Sequence, residues 1–412
     1  MADRHVEFLL IGGGLAAANC ARWLREEGAE GSILLVGREP EPPYNRPPCS
    51  KGYLQGKESR EDTWFRPSEW WGQQSIELLV RTSVVGLDVQ DRVAQLSTQE
   101  EVSFDRALVA TGANVRLLRV DGVQLDGIHY LRALGNSDTI RSEAQDAERV
   151  VIVGGSYIAT EVAASLTLLG AKCTILMQES VTHERSFGAQ VGRFFQSVLE
   201  DHGVEVHGDD GLARFEGSDG RVSRVVSERG LALDCDAVVM GTGAVPDAML
   251  ASRAGLELGE RGGVRCSARL ESSVPGIFAA GDMCEYDSPM HGGPVRIEHW
   301  DVAFNQAKTA ALNMLGRGVE HDVVPYFFSD LADWASMEYV GPANQWDQEV
   351  VRGSIEDGAF SLWYLQEGRV AAALSVERSD DLEHARRLIS TRAELGERSE
   401  ALADVDTDLG QL

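Results

Sequence analysis

At 412 residues the chain is too long for one ordinary hydrophobic core, and its 43% apolar content is ample for two or three packed domains. No apolar run approaches the ~18 residues that cross a bilayer, and the first residues lack the basic and apolar stretches of a secretory leader. A formal net charge of −27 argues against nucleic acid or an anionic membrane as partners.

The predicted elements begin with an apolar run at 6–11, a glycine turn and a small-residue helix, V-E-F-L-L-I-G-G-G-L-A-A-A-N-C-A-R-W-L over 6–24. A second strand, 32–36, follows, and a further apolar strand runs through F-D-R-A-L-V-A-T-G-A at 104–113. The same order then recurs about a domain later. Residues 150–168 read V-V-I-V-G-G-S-Y-I-A-T-E-V-A-A-S-L-T-L, and 235–244 read C-D-A-V-V-M-G-T-G-A. Two related α/β units in tandem are therefore expected. A strand at 277–280 ends in Gly281-Asp282. From Pro325 aromatic and β-branched segments dominate, with a helical stretch at 381–392, which predicts a small α+β domain. The fold class is α/β, with two Rossmann-type dinucleotide-binding domains plus that C-terminal domain. The expected boundaries are 1–115 with 245–324 for a discontinuous first domain, 116–244 for the inserted one, 325–392, and a mobile acidic tail at 393–412.

The first turn, Gly12-Gly13-Gly14-Leu15-Ala16-Ala17, fits G-x-G-x-x-A. Gly12 permits the tight turn, Gly14 lets a pyrophosphate reach the backbone, and Ala17 lets helix and strand pack closely. The helix N-terminus then directs N–H groups at the phosphates. After the second strand, Glu39 is the acid expected to grip an adenosine ribose. In the second turn, Gly154-Gly155-Ser156-Tyr157-Ile158-Ala159, Ser156 adds a Cβ where close approach is wanted, although its hydroxyl can bond a phosphate. The strand after it runs into Met177-Gln178-Glu179, so the ribose acid shifts to Glu179. Ala110-Thr111-Gly112, Gly243 of the second T-G, and Gly281-Asp282 complete the order of an FAD domain interrupted by a nucleotide domain. Either glycine turn could also be a ligand-free structural unit.

These residues resemble the ferredoxin reductases of bacterial oxygenase systems, the putidaredoxin-reductase type, and more distantly apoptosis-inducing factor. The most specific segment is P-Y-N-R-P-P-C-S-K-G-Y-L over 43–54; Arg296-Ile297-Glu298-His299-Trp300 and Phe328-Ser329-Asp330 add to it. The resemblance implies FAD held by the first turn, with Arg46 and Lys51 along it and Glu298, His299, Trp300 and Phe328 in its surroundings. It also implies an acid, Glu161, paired with Lys51 as the catalytic couple. Cys49, Ser156, Ala159 and Met177 depart from the pattern.

Three readings stand beside one another. In the first, NADH, with NADPH possible, gives hydride to FAD, which passes single electrons to an iron–sulfur ferredoxin. A second makes Cys49 the redox group of a thiol–flavin reductase of disulfides or peroxides, with Lys51 two residues away to activate it. A third is a flavin-bound redox sensor. The other cysteines, Cys20, Cys173, Cys235, Cys266 and Cys284, show no metal-type spacing, so no metal is expected and a cytoplasmic protein with reduced thiols is. The Met177-Gln178-Glu179 segment offers a carboxylate and no base, which favours NADH; His183 and Arg185 are the nearest basic side chains. A monomer or homodimer is expected. An acidic ferredoxin would need a basic docking face on so acidic a chain.

Overall fold

The computed structural model describes residues 2–341, 343 and 345–412, which divide into two compact units. The first comprises Met1–Asn45, Arg60–Asn114 and Ala244–Val323. Its central strand, Arg4–Ile11, has Phe8, Leu9 and Leu10 fully buried in succession, the pattern of a parallel strand covered on both faces. Ile33–Val36 and Glu101–Val109 flank it in parallel, with Ile76–Leu79 and Ile277–Ala279 outside them. The lower half of Glu101–Val109 carries an antiparallel hairpin of Val84–Asp88 and Val93–Leu96.

The helix Leu15–Glu26 follows the central strand and buries Ala16, Ala17, Ala18, Cys20, Ala21 and Leu24. So many small residues on one face let it lie close to the sheet and to the helix Trp300–Met314. Gly281 shows how close: a Cβ there would sit 3.3 Å from Ala16 Cβ and 3.6 Å from Ala303 Cβ.

The second unit comprises Arg46–Ser59, Val115–Gly243 and Val324–Leu412. Its five-stranded parallel sheet runs Glu205–His207, Lys172–Leu176, Arg149–Val153, Ala237–Met240, Ile128–Tyr130. Tyr157–Leu168 is the helix after its central strand. The C-terminal part is a five-stranded antiparallel sheet, in the order Tyr326–Leu331, Ala335–Val340, Arg369–Val376, Ala359–Gln366, Gln348–Ser354, with the helix Asp380–Thr391 packed on it.

Two expectations differ from this arrangement. Residues 46–59, assigned by sequence order to the first domain, group with the second unit. The cause is a set of lateral ties: Arg46 Nη1 donates to the Arg132 carbonyl at 2.6 Å, Tyr53 Oη to Asp138 Oδ1 at 2.6 Å, and Arg141 Nη1 to the Tyr53 carbonyl at 3.0 Å. The tail at 393–412, expected to be mobile, is folded. Leu395, Leu402 and Leu409 are buried, and the guanidinium of buried Arg352 donates to the carbonyls of Leu402, Asp404, Val405 and Thr407. Composition missed this because the acids face solvent while three leucines and a run of carbonyls face inward.

Arg352 Nε also lies 3.5 Å from buried Asp381. Arg352→Met should lower the unfolding free energy by about 3 kcal/mol, because it leaves carbonyls and a buried carboxylate under-satisfied. It should also open the last residues to protease; a variant as protease-resistant as the parent would show that the leucines alone hold the tail.

Candidate functional site

Gly12 ends the first central strand with φ +129°, a conformation that L side chains rarely adopt, and a Cβ there would lie 2.1 Å from the Ala110 carbonyl oxygen. Gly14 is the N-cap of the helix Leu15–Glu26; no side chain caps this end, and a Cβ on Gly14 would meet nothing within 4 Å. The turn is therefore closed on its protein side and open on the side to which the helix N–H groups of Leu15, Ala16 and Ala17 turn. That shape and polarity suit a pyrophosphate.

Around it, in the same unit, Glu39 accepts from Tyr44 Oη at 2.5 Å, which fixes the acid after the second strand. Thr111 Oγ1 donates to the Asp247 carbonyl at 2.8 Å, and Gly112 turns with φ +73°. Gly281, φ +75°, donates its N–H to Gln306 Oε1 at 2.8 Å and sets the start of the turn carrying Asp282. Arg296 joins this turn to the next segment, with Nη1 donating to the Asp282 carbonyl at 3.0 Å and to Glu298 Oε1 at 2.5 Å. Trp300 opens its helix half-buried, stacked on Phe304 at 5.3 Å, with Nε1 donating to Asn45 Oδ1 at 3.0 Å.

Glu298 and His299 form the extended lead into the Trp300 helix. Glu298 is exposed and His299 half-buried, and desolvation pushes the His299 imidazole down to about 4.

The second turn repeats the first. Gly154 has φ +120°, and a Cβ there would lie 2.3 Å from the Gly241 carbonyl oxygen. A Cβ on Gly241 would in turn meet Ala159 Cβ at 2.8 Å, so the small third residue of the motif is needed for packing. Gly155 lies against Met177, whose side chain is buried. Met177 thus fills space under the turn. Ser156 caps the helix with φ −105°, exposed and unstrained, and Ile158 is exposed beside it. Gly243, φ +89°, closes the second T-G and accepts from Arg116 N at 2.9 Å. Tyr157 turns inward and packs on Phe327, ring centroids 4.3 Å apart.

The loop 46–59 delivers a polar cluster to the same unit. Lys51 Nζ lies 3.3 Å from Glu161 Oε1 and 2.8 Å from Asp330 Oδ2, over the Phe328 ring at 4.4 Å. Glu161 is buried, and each of its oxygens accepts a hydroxyl at 2.5 Å, Oε1 from Ser329 and Oε2 from Ser50. Ser165, one turn on from Glu161, donates to the Ser50 carbonyl at 2.7 Å and locks the loop to the helix. Sequence reasoning found Lys51 and Glu161 and left Ser50, Ser329 and Asp330 without roles. Ser50 lies in the P-Y-N-R-P-P-C-S-K-G-Y-L segment and Ser329 and Asp330 in the Phe328-Ser329-Asp330 motif, whose alternation puts Ser329 on one strand face and Asp330 on the other. Cys49 is buried, 3% exposed, in the 3-10 turn Pro47–Ser50.

Residues 6–307 match the family described as pyridine nucleotide-disulphide oxidoreductase, and residues 326–412 match the reductase C-terminal family. The chain belongs to the pyridine nucleotide-disulphide oxidoreductase family. Rhodocoxin reductase of Rhodococcus erythropolis is 32% identical over 404 residues, which cover 98% of this chain and 93% of that protein. The ferredoxin–NAD(+) reductase subunit of the benzene 1,2-dioxygenase system of Pseudomonas putida is 32% identical over 401 residues, 97% of this chain and 96% of that subunit. Among solved structures, the covalent putidaredoxin reductase–putidaredoxin complex matches with a TM-score of 0.93 and 31% identity, over 100% of this chain and 98% of the other.

Within this family, the basic groups near the second turn bear on nucleotide choice. Arg185 Nε is 2.6 Å from Glu179 Oε1, so its charge is already opposed. His183 does not fold back toward a ligand. It is fully buried against Tyr157, Phe187 and Phe195, with Nε2 3.1 Å from Thr160 Oγ1, and burial pushes its imidazole down to about 3. Its folded value lies below the ordinary 6.5, so the unfolded chain takes the proton first and stability falls as pH drops below 6.5, toward about 3. His183→Leu should remove about 2 kcal/mol of the stability lost between pH 7 and pH 5. Urea unfolding at the two pH values reads this; an unchanged difference between them would show that the imidazole is already charged inside the fold.

Proposed function

We propose that the chain is an FAD-dependent ferredoxin reductase that takes hydride from NADH and passes electrons singly to an iron–sulfur ferredoxin. The observation that carries this reading is the repeated glycine turn, closed by a neighbouring carbonyl at Gly12 and again at Gly154. Two dinucleotide sites in one chain suit an enzyme that moves electrons between two nucleotides. The names of the relatives, reductases of oxygenase systems and a reductase bound to its redoxin partner, support the acceptor.

FAD, when bound, supplies the exchange between two-electron and one-electron chemistry. The residues of this chain bind and orient it. The amides after Gly12 and Gly14 hold the pyrophosphate, Glu39 the adenosine ribose, and the Gly281-Asp282 turn, set by Gln306, the middle of the cofactor. Ala110, Thr111 and Gly112 form the back of the cradle, while Glu298, His299 and Trp300 belong to its surroundings. The turn from Gly154 to Ile158, with Gly243 and Glu179, holds NADH. In the second unit Glu161, fixed by two hydroxyls, holds the Lys51 ammonium as a positioned cation. Cys49 is a small buried residue of the lysine loop rather than the redox centre. An acidic ferredoxin would need a locally basic docking face on this acidic chain, and a reducing cytoplasm suits six buried cysteines.

Purified protein should be yellow, with one FAD per chain. Gly14→Val should lose the colour while the fold survives, because a Cβ at Gly14 meets no protein atom within 4 Å and the side chain is added on the open side of the turn. A fully yellow variant would put the phosphate site elsewhere. Under anaerobic conditions NADH should reduce the flavin at least about tenfold more efficiently than NADPH, since the 2′-phosphate would face Glu179. Equal kcat/KM for the two nucleotides would refute that preference. Rising ionic strength should slow ferredoxin reduction and leave flavin reduction by NADH unchanged.

A further inference from the structure

We propose that Arg116 is a phosphate-contacting residue of the second dinucleotide site, and that it meets the pyrophosphate common to NADH and NADPH. This rests on the reading that the Gly154 turn holds a nicotinamide dinucleotide.

The two units differ at one position that their repeat makes equivalent. In the first unit Asp247 N donates to the Gly112 carbonyl at 2.9 Å, and Thr111 Oγ1 donates to the Asp247 carbonyl at 2.8 Å. In the second unit Arg116 N donates to the Gly243 carbonyl at 2.9 Å, and Thr242 Oγ1 donates to the Arg116 carbonyl at 2.9 Å. The same pair of bonds ties Asp247 to the first T-G and Arg116 to the second. The two residues are counterparts of opposite charge.

The first unit shows where a side chain at this position reaches. Asp247 Oδ2 accepts from Arg38 Nη1 at 2.9 Å, and Arg38 stands two residues past the strand Ile33–Val36. That strand and Glu101–Val109 flank the central strand on either side, so the ion pair joins the two ends that border the Gly12 turn. In the second unit the residue two past Lys172–Leu176 is Gln178, which is exposed and uncharged. Among the described residues the exposed Arg116 side chain has no ion pair and no hydrogen bond.

The second turn is close by. Gly241, whose carbonyl closes that turn, has its Cα 3.5 Å from the place a Cβ would take on Gly154. Gly243 is two Cα steps of about 3.8 Å further along, so it lies within about 11 Å of that point. Apart from chain neighbours, a Cβ on Gly243 would meet only Arg116 Nε within 4 Å, at 3.9 Å. A planar guanidinium can bond two phosphate oxygens at once and keeps its charge throughout the working pH range. Arg185 is already held by Glu179 at 2.6 Å, so Arg116 is the unopposed cation that can add to the amides of this turn.

The test measures dissociation constants of NAD+ and NADP+ for the FAD-loaded, oxidised protein by calorimetry, so that no turnover intervenes. Arg116 is anchored through its backbone, so changing its side chain leaves both bonds to the second T-G in place. Arg116→Gln should weaken NAD+ and NADP+ alike, on the order of tenfold, and flatten the dependence of binding on salt. Arg116→Lys keeps the charge without the fork and should lie between the two. Arg119→Gln removes another exposed charge three residues on and should bind as the parent does. Ser156→Glu puts a carboxylate at the open helix end and should abolish binding of both nucleotides. Parental constants in Arg116→Gln, equal weakening in Arg116→Gln and Arg119→Gln, or a loss confined to NADP+ would each overturn the pyrophosphate contact. Parental NAD+ binding by Ser156→Glu would instead sink the reading of the Gly154 turn on which this inference rests.

Discussion

The contact between a glycine and the carbonyl of the next parallel strand governs the chemistry this chain can host. At Gly12 and at Gly154 the backbone comes so near to Ala110 O and Gly241 O that any side chain would overlap them. Each contact pins the start of a helix to the end of a strand, so the uncapped N–H groups of that helix face outward from the sheet edge. These outward-facing amides follow from close packing rather than from charged side chains. A net charge of −27 is therefore no obstacle to binding two phosphate-rich ligands.

The same packing demand spreads through small residues. Ala159 fits because Gly241 opposes it, and Gly281 fits between Ala16 and Ala303. The first helix can carry so many alanines because its value to the fold is proximity, not side-chain volume. Where a larger residue enters, it goes beneath the turn and not into the ligand's space: Met177 lies under Gly155. Ser156, for its part, extends into the open.

Polar residues are handled by the opposite rule. Buried Glu161 is satisfied on both oxygens before the lysine reaches it, and buried Arg352 spends its donors on the carbonyls of the C-terminal segment. The lysine loop is held by three ties to the helix Leu134–Asp146 and the residue preceding its cap, and by Ser165 from the helix that bears Glu161. Lys51 and Glu161 are thereby mounted on one body although 110 residues of sequence separate them.

The sequence by itself determined the two dinucleotide units, their order, the antiparallel C-terminal domain and the glycines of both turns. These depend on local periodicity and on backbone conformations that only certain residues adopt, and such signals lie within a few positions of one another. It also supplied the likeness that singled out Lys51 and Glu161. Only the tertiary structure decided what those residues hold. Asp330 and Ser329 differ in role because strand alternation sends them to opposite faces, and Ser336 reaches Asp330 only across a hairpin. His183 resembled a basic group near a ligand until burial made it neutral. The tail looked loose because composition averages over faces, whereas the fold separates three buried leucines from the acids between them. Contacts between distant segments, and the burial that sets a group's charge, are properties of the packed chain that no local pattern records.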